Sequence, residues 1–332
     1  MKSFVFVFTI LYVLTMLTSC TNERSPAHEK KLSMTLASEM SLLPATVWVA
    51  ESMGYFKEAG LELTIREFDS GRNALETMLK DKSIDMATVA QTPIVFNSFD
   101  NQPYVILATM AHSIDDVKVL ARKDHGIKEA KDLKGKKVGA TLRSTGHYFL
   151  EGFLSSYNLS LDDVELHDVN AAKLKGKLIS GELDAITSWE PHIYNTKKIL
   201  SDSKLTMLIS PVPFRKDFFF TVSRIYAEDN KEEISRFLKA VLRAESYTKF
   251  NKEKSQDIVA KRIGADPEIV KSIWESFLFE ITLEQSVLLG LEDEAQWAID
   301  IGVTNKSVPN YLNYINFDGL KKLKPEAVNV FH

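Results

Sequence analysis

Three short polar stretches stand where a helix is about to begin, and their residue types suit the capture of an anion. Ser70-Gly71-Arg72 follows the strand-like Leu61–Phe68, and Gln91-Thr92 follows Ile84–Ala90. Arg143-Ser144-Thr145 leads into a helical run with His147 in its first turn. A helix amino terminus presents unpaired backbone N–H groups and the positive end of the helix dipole. Three such ends facing one gap would clamp a sulfonate, nitrate or phosphate with little further help. Each residue also has a plainer reading. Ser and Gly cap helices in any protein, and Thr92 before Pro93 is itself a good cap with Gln91 beside it. Arg72 and Arg143 serve equally as counter-charges or as surface charges. For Ser144, Thr145 and His147, ligand contact competes with capping and packing.

A fourth stretch, Gly181–His192 (GELDAITSWEPH), supplies an aromatic wall in Trp189 and an acid in Glu190, just before Pro191, which reads as the first residue of a helix. The stretch repeats the plan of Ser83–Pro93 (SIDMATVAQTP). Each is a short apolar run entered through an Asp (Asp85, Asp184), with a Thr three residues on (Thr88, Thr187), a polar tip and a proline. Two such junctions imply two similar α/β lobes whose polar tips lie at the carboxyl ends of strands, where open α/β sheets bind ligands. Glu190 would repel a sulfonate but accept an amino group; the alternative is a solvated glutamate favoured by the dipole. Trp48, on the first helix, reads as core ahead of ligand wall. His112 and Asp217 fall at the two predicted crossovers, where they either reach a ligand or pin a hinge.

The elements that would hold these residues follow from periodicity. Leu32–Ala37, Leu61–Phe68, Ile84–Ala90 and Tyr104–Met110 read as strands, separated by helices from Pro44, over Arg72–Lys80, and from a Thr92-Pro93 cap to Phe99. A second series runs Val117–Ala121, a surface helix over Ile127–Lys136, then strands at Lys137–Ala140, Val164–Val169, Leu183–Ile186 and Thr206–Ile209 with helices between. Strands alternating with short helices imply βαβ units and mostly parallel sheets. Asp217–Ser223 reads as a strand returning to the first lobe. Beyond Ala227 the pattern is helical: Ile234, Phe237, Leu238, Val241 and Leu242 form an amphipathic stripe, and Leu283–Ile301 reads as a helix pair. This tail is expected to pack on lobe one. The division expected is 32–115 plus 215–332 for lobe one and 116–214 for lobe two.

Composition narrows the classes. The 332 residues, 45% apolar, suffice for two domains, and Lys+Arg 41 against Asp+Glu 45 gives no basic surface for nucleic acid. Lys2 followed by the apolar Phe4–Leu17 reads as an export signal. It ends in Leu17-Thr18-Ser19-Cys20, which resembles the lipobox of bacterial lipoproteins. That resemblance implies a signal peptide over 1–19, lipidation of Cys20, a polar tether over 20–31, and a chain anchored to a bacterial membrane on its periplasmic or extracellular face. Cys20 is the only cysteine, so no internal disulfide forms and no Cys-based metal site remains.

The order of these pieces resembles the substrate-binding proteins of ABC importers, in the branch serving nitrate, taurine, alkanesulfonates and thiamin-pyrimidine precursors. The matching phrases are VWVAESMGYFKEAG (Val47–Gly60), FDSGRNAL (Phe68–Leu75), DMATVAQTP (Asp85–Pro93), LKGKKVGATLRSTGHYFL (Leu133–Leu150) and Gly181–His192. The resemblance implies a two-lobed periplasmic-binding-protein-like α/β fold of type II that closes on a small anionic or zwitterionic ligand. It implies delivery to a membrane permease, a monomer, no cofactor, no metal and no catalysis. It also implies ligand contact at the start of the helix after Ser144. Two alternatives stand beside it: a receptor that hands its ligand to a membrane signalling protein, and an enzyme of the related pyrimidine-synthase branch. That branch carries a cysteine-rich iron motif, which one cysteine cannot supply. G-x-S-x-G, H-E-x-x-H and the P-loop are also missing from the sequence.

Overall fold

The chain builds two five-stranded sheets of the same plan, and the sequence repeat is their shared blueprint. The computed structural model describes residues 32–200 and 203–330. The expected export signal over 1–19, Cys20 and the expected tether over 20–31 lie outside them. Strands β1 (Leu32–Glu39), β2 (Leu61–Phe68), β3 (Met86–Ala90) and β4 (Tyr104–Ser113) alternate with helices α1 (Ala45–Ser52), α2 (Tyr55–Glu58), α3 (Gly71–Lys80) and α4 (Gln91–Ser98). The chain then crosses to β5 (Val117–Arg122), β6 (Lys137–Ala140), α5 (Thr145–Ser155), β7 (Glu165–Asp168), α6 (Ala171–Ser180), β8 (Ala185–Trp189), α7 (His192–Lys197) and β9 (Leu205–Leu208). It returns in β10 (Lys216–Ser223) and ends in α8 (Arg224–Asp229), α9 (Lys231–Phe250), α10 (Lys252–Ile263), α11 (Pro267–Trp274), α12 (Gln285–Asp300) and α13 (Asp318–Leu323).

The strand orders are β2-β1-β3-β10-β4 and β7-β6-β8-β5-β9. In each sheet the first three strands are parallel, and the fourth is antiparallel and arrives from the other lobe. Each sheet is mostly parallel, as expected, with that one strand reversed among four that run the same way. The paired Asp residues explain the repeat. Asp85 Oδ2 accepts the Thr35 N–H of β1 at 2.8 Å, and Asp184 Oδ2 accepts the Lys137 N–H of β6 at 2.8 Å. In each sheet a carboxylate at the mouth of one strand pins its neighbour, mid-strand in β1 and at the first residue in β6.

The first sheet and the helical tail share one core, in which Phe218, Phe219 and Phe220 of β10 are all buried because helices cover both faces. The second sheet carries a separate cluster on each face. Several boundaries differ from the sequence reading. Ile127–Lys136 forms only a 3-10 turn at Ala130–Leu133, and its apolar residues Ile127, Ala130 and Leu133, spaced three apart as a 3-10 turn aligns them, are buried in the second lobe. The predicted helix pair over Leu283–Ile301 is the single helix α12. Thr92 and Pro93 lie inside α4, whose N-cap is Ala90, and Pro191 is the N-cap of α7 rather than its first residue.

Candidate functional site

The strand ends of the two sheets meet. Thr92 Oγ1 of α4 lies 2.6 Å from Thr145 Oγ1 of α5, both buried. The guanidinium of Arg72 donates to the carbonyl of Arg143 at 3.0 Å, and Arg143 holds a left-handed backbone at φ 57°. Trp297 of the tail packs edge-on against His147 at 5.2 Å, touches Tyr148 at 5.0 Å, and donates its indole N–H to Glu151. Trp189 stands against Gly146 at the start of α5, where a Cβ would lie 3.6 Å from its Cζ3.

At the centre lies a cation that the sequence reading overlooked. Lys216, 5% exposed, pairs with Asp116, 3% exposed, at 2.7 Å. Its ammonium sits 5.4 Å from the Trp189 ring and 4.8 Å from the Phe218 ring. Two further acids face it. Glu39 ends β1, and Glu294 projects from α12. Burial raises both to about 7, against the pull of Lys216. Glu294 accepts Thr92 O–H at 2.6 Å and Gln91 N–H at 3.0 Å. Ionised Glu294 thus orients the Thr92 hydroxyl and leaves it to accept from Thr145. Signals for these residues existed. Glu39 is the charged end of an apolar strand. Glu294 falls on the buried stripe of α12 with Val287, Leu288, Leu291, Ala295 and Ala298. Asp116 and Lys216 are charges abutting the two crossovers.

The remaining candidates sort by their partners. Ser70 caps α3 by accepting the Asn73 N–H at 3.3 Å. Gly71 packs so closely on β3 that a Cβ would lie 3.0 Å from the Thr88 carbonyl, and its N–H faces the Glu39 carboxylate. The α3 terminus therefore already has an anion of the chain's own. Ser144 caps α5, accepting Gly146 N–H at 3.2 Å and donating to Thr141 O at 2.6 Å. His147 Nδ1 faces the Arg143 N–H at 3.4 Å, and burial lowers its pKa. Gln91 turns away from the junction to α12, where it also donates to Gly290 O at 3.0 Å.

Glu190 is engaged elsewhere, with one oxygen 3.1 Å from Lys118 Nζ and the other accepting Tyr194 N–H at 2.9 Å. Burial raises its pKa while Lys118 opposes. Trp48 is fully buried in the first core, donating to Ser41 O at 2.8 Å. Asp217 is gripped by Arg215, which also reaches Glu284 at 2.7 Å. His112 lies opposite Asp217 in the sheet, its Nδ1 buried without a partner and its pKa lowered by burial and then by Arg215. Among the described residues, no group of three or more His, Cys, Asp or Glu is placed to hold a metal ion. No helix among them is long and apolar enough to cross a membrane.

Comparison with known proteins agrees with this layout. A Bacillus subtilis (strain 168) protein named for the binding of aliphatic sulfonates is 24% identical over 274 residues, covering 80% of each chain. The crystal structure of the periplasmic aliphatic sulphonate binding protein of Escherichia coli superposes with a TM-score of 0.73 at 20% identity, covering 86% of this chain and 92% of that one. A desulfurization enzyme also shares the fold, with a TM-score of 0.66 at 15% identity over 89% of this chain and 99% of that one. The architecture is thus the two-lobed α/β fold of periplasmic binding proteins, with a helical carboxyl-terminal region. A model of the family described as NMT1/THI5 like matches residues 44–255, well over half of the sequence, and the chain belongs to that family.

Proposed function

We propose that the chain is the extracytoplasmic solute receptor of an ABC importer, held to the membrane through lipidated Cys20 and acting as a monomer with a permease as its partner. It captures a small anionic or zwitterionic solute of the sulfonate, taurine, nitrate or aminopyrimidine kind. Lobe one (32–115 plus 215–332) and lobe two (116–214) close about the crossovers near Asp116 and Lys216. Ligand contact falls to Thr92, Thr145 and Trp189, beside the buried Lys216–Asp116 pair. Gly71, Ser144, Arg72, Arg143 and His147 shape the rim. The observation that carries the reading is the 2.6 Å approach of Thr92 and Thr145, strand-end hydroxyls from opposite lobes, beside a buried lysine. Closure follows when the solute binds the closed state better than the open one. Relatives named as binding proteins support the receptor reading, and a fold neighbour that is an enzyme makes recovery of the unchanged solute part of the test.

The test is small-angle scattering paired with calorimetry on the mature chain, screening sulfonates, nitrate, bicarbonate and aminopyrimidines. A bound solute should shrink the radius of gyration and be recovered unchanged. Conversion of the solute, or saturable binding with no change of shape, would refute the receptor reading.

A further inference from the structure

The charge around Lys216 does not suit a plain anion. Asp116 already matches the ammonium at 2.7 Å, and two more acids, Glu39 and Glu294, lie in its field. Glu294 has its donors in Thr92 and Gln91. Glu39 does not. It holds the strand-end position on β1 that Trp189 holds on β8. The Gly71 N–H faces its carboxylate, yet Oε1 is sealed from solvent and meets no hydrogen-bond partner. Buried polar atoms are nearly always paired, and an unpaired one calls for an explanation. Protonated, the group would call for an acceptor; ionised, it calls for a donor, and either way the partner comes from outside the carboxyl's present neighbours. Three carboxyls around the single Lys216 ammonium favour a donor as that partner.

We propose that Glu39 is the specificity-determining residue of the cleft and accepts a hydrogen bond from an N–H of the solute. The solute class is therefore aminated: an ammonium or an amino-substituted heterocycle, whose other end faces Thr145 and the start of α5. The sequence pointed to Glu190 for an amino group, but Lys118 and the Tyr194 N–H hold that carboxylate. This assignment rests on the solute-receptor reading and narrows it.

Two matched pairs test it by calorimetry at neutral pH on the mature chain: 2-aminoethanesulfonate against ethanesulfonate, and 4-aminopyrimidine against pyrimidine. The aminated member of at least one pair should bind tenfold or more tighter. Glu39→Gln, which offers a donor where the solute brings one, should cut that preference to threefold or less. Equal binding, tighter binding of the unaminated member, or no binding by any of the four overturns the assignment. If the variant fails to melt cooperatively, the wild-type preference decides. The receptor reading falls separately, only if the scattering screen finds no solute that closes the chain or finds one converted.

Discussion

Replacing Glu294 by Gln should change how stability depends on pH, not merely its level. Glu294 is fully buried, and its pKa rises from 4.5 to about 7 because burial outweighs the donors Thr92 and Gln91 and the field of Lys216. The unfolded chain releases this proton near the ordinary glutamate value, while the folded chain keeps it until about pH 7. Between those limits the folded state binds more protons, so raising the pH removes stability. At about 1.4 kcal/mol per unit, the loss amounts to about 3 kcal/mol by neutral pH and changes little above it. Glutamine keeps the shape and an acceptor for the Thr92 hydroxyl but carries no proton to lose. Ligand-free wild type and Glu294→Gln should therefore show urea midpoints whose difference shifts steadily in favour of the variant from pH 4.5 to about 7. Glu39 titrates in the same direction in both proteins and cancels from the comparison. A difference that is constant across that range would mean Glu294 titrates normally, and the account of its burial would be wrong.

Two further outcomes test other parts of the architecture. Thr92→Val and Thr145→Val should be coupled: the pair of hydroxyls 2.6 Å apart contributes about 0.5–1.5 kcal/mol to solute affinity through the closed state, and a double-mutant cycle should return that coupling. Thr92→Val alone should also lower stability, because it strips a donor from Glu294; additive single effects would show that the contact plays no part in closure. Cys20→Ser should release the chain from membranes into the soluble fraction, and membrane association that persists in that variant would remove the lipid anchor.

The repeat of an Asp-led apolar run with a Thr three residues on was enough to announce two similar lobes. The period-two alternation of Leu61, Leu63 and Ile65 and the intact α6 over Ala171–Ser180 gave element type and order. Local patterning reports which backbone a segment prefers and which side it buries, and both halves of this chain follow that preference closely. Residues singled out at strand ends do include some that meet, with Thr92 against Thr145 and Trp189 against Gly146. What those ends contact depends on partners remote in sequence. Gln91 faces α12, two hundred positions away, rather than a solute. Glu190 is tied to Lys118, and Ser70 and Ser144 are engaged in capping.

Lys216, the charge at the centre, lies beside Asp116 only because the chain crosses between lobes twice and the two crossings run side by side. Sequence determined the two α/β units and most of their strands, since these arise from contacts within each βα unit. The tertiary structure alone decided the electrostatics of that gap. Buried charges are set by whichever groups share the same few ångströms, and here Glu39, Asp116, Lys216 and Glu294 come from four separate parts of the chain.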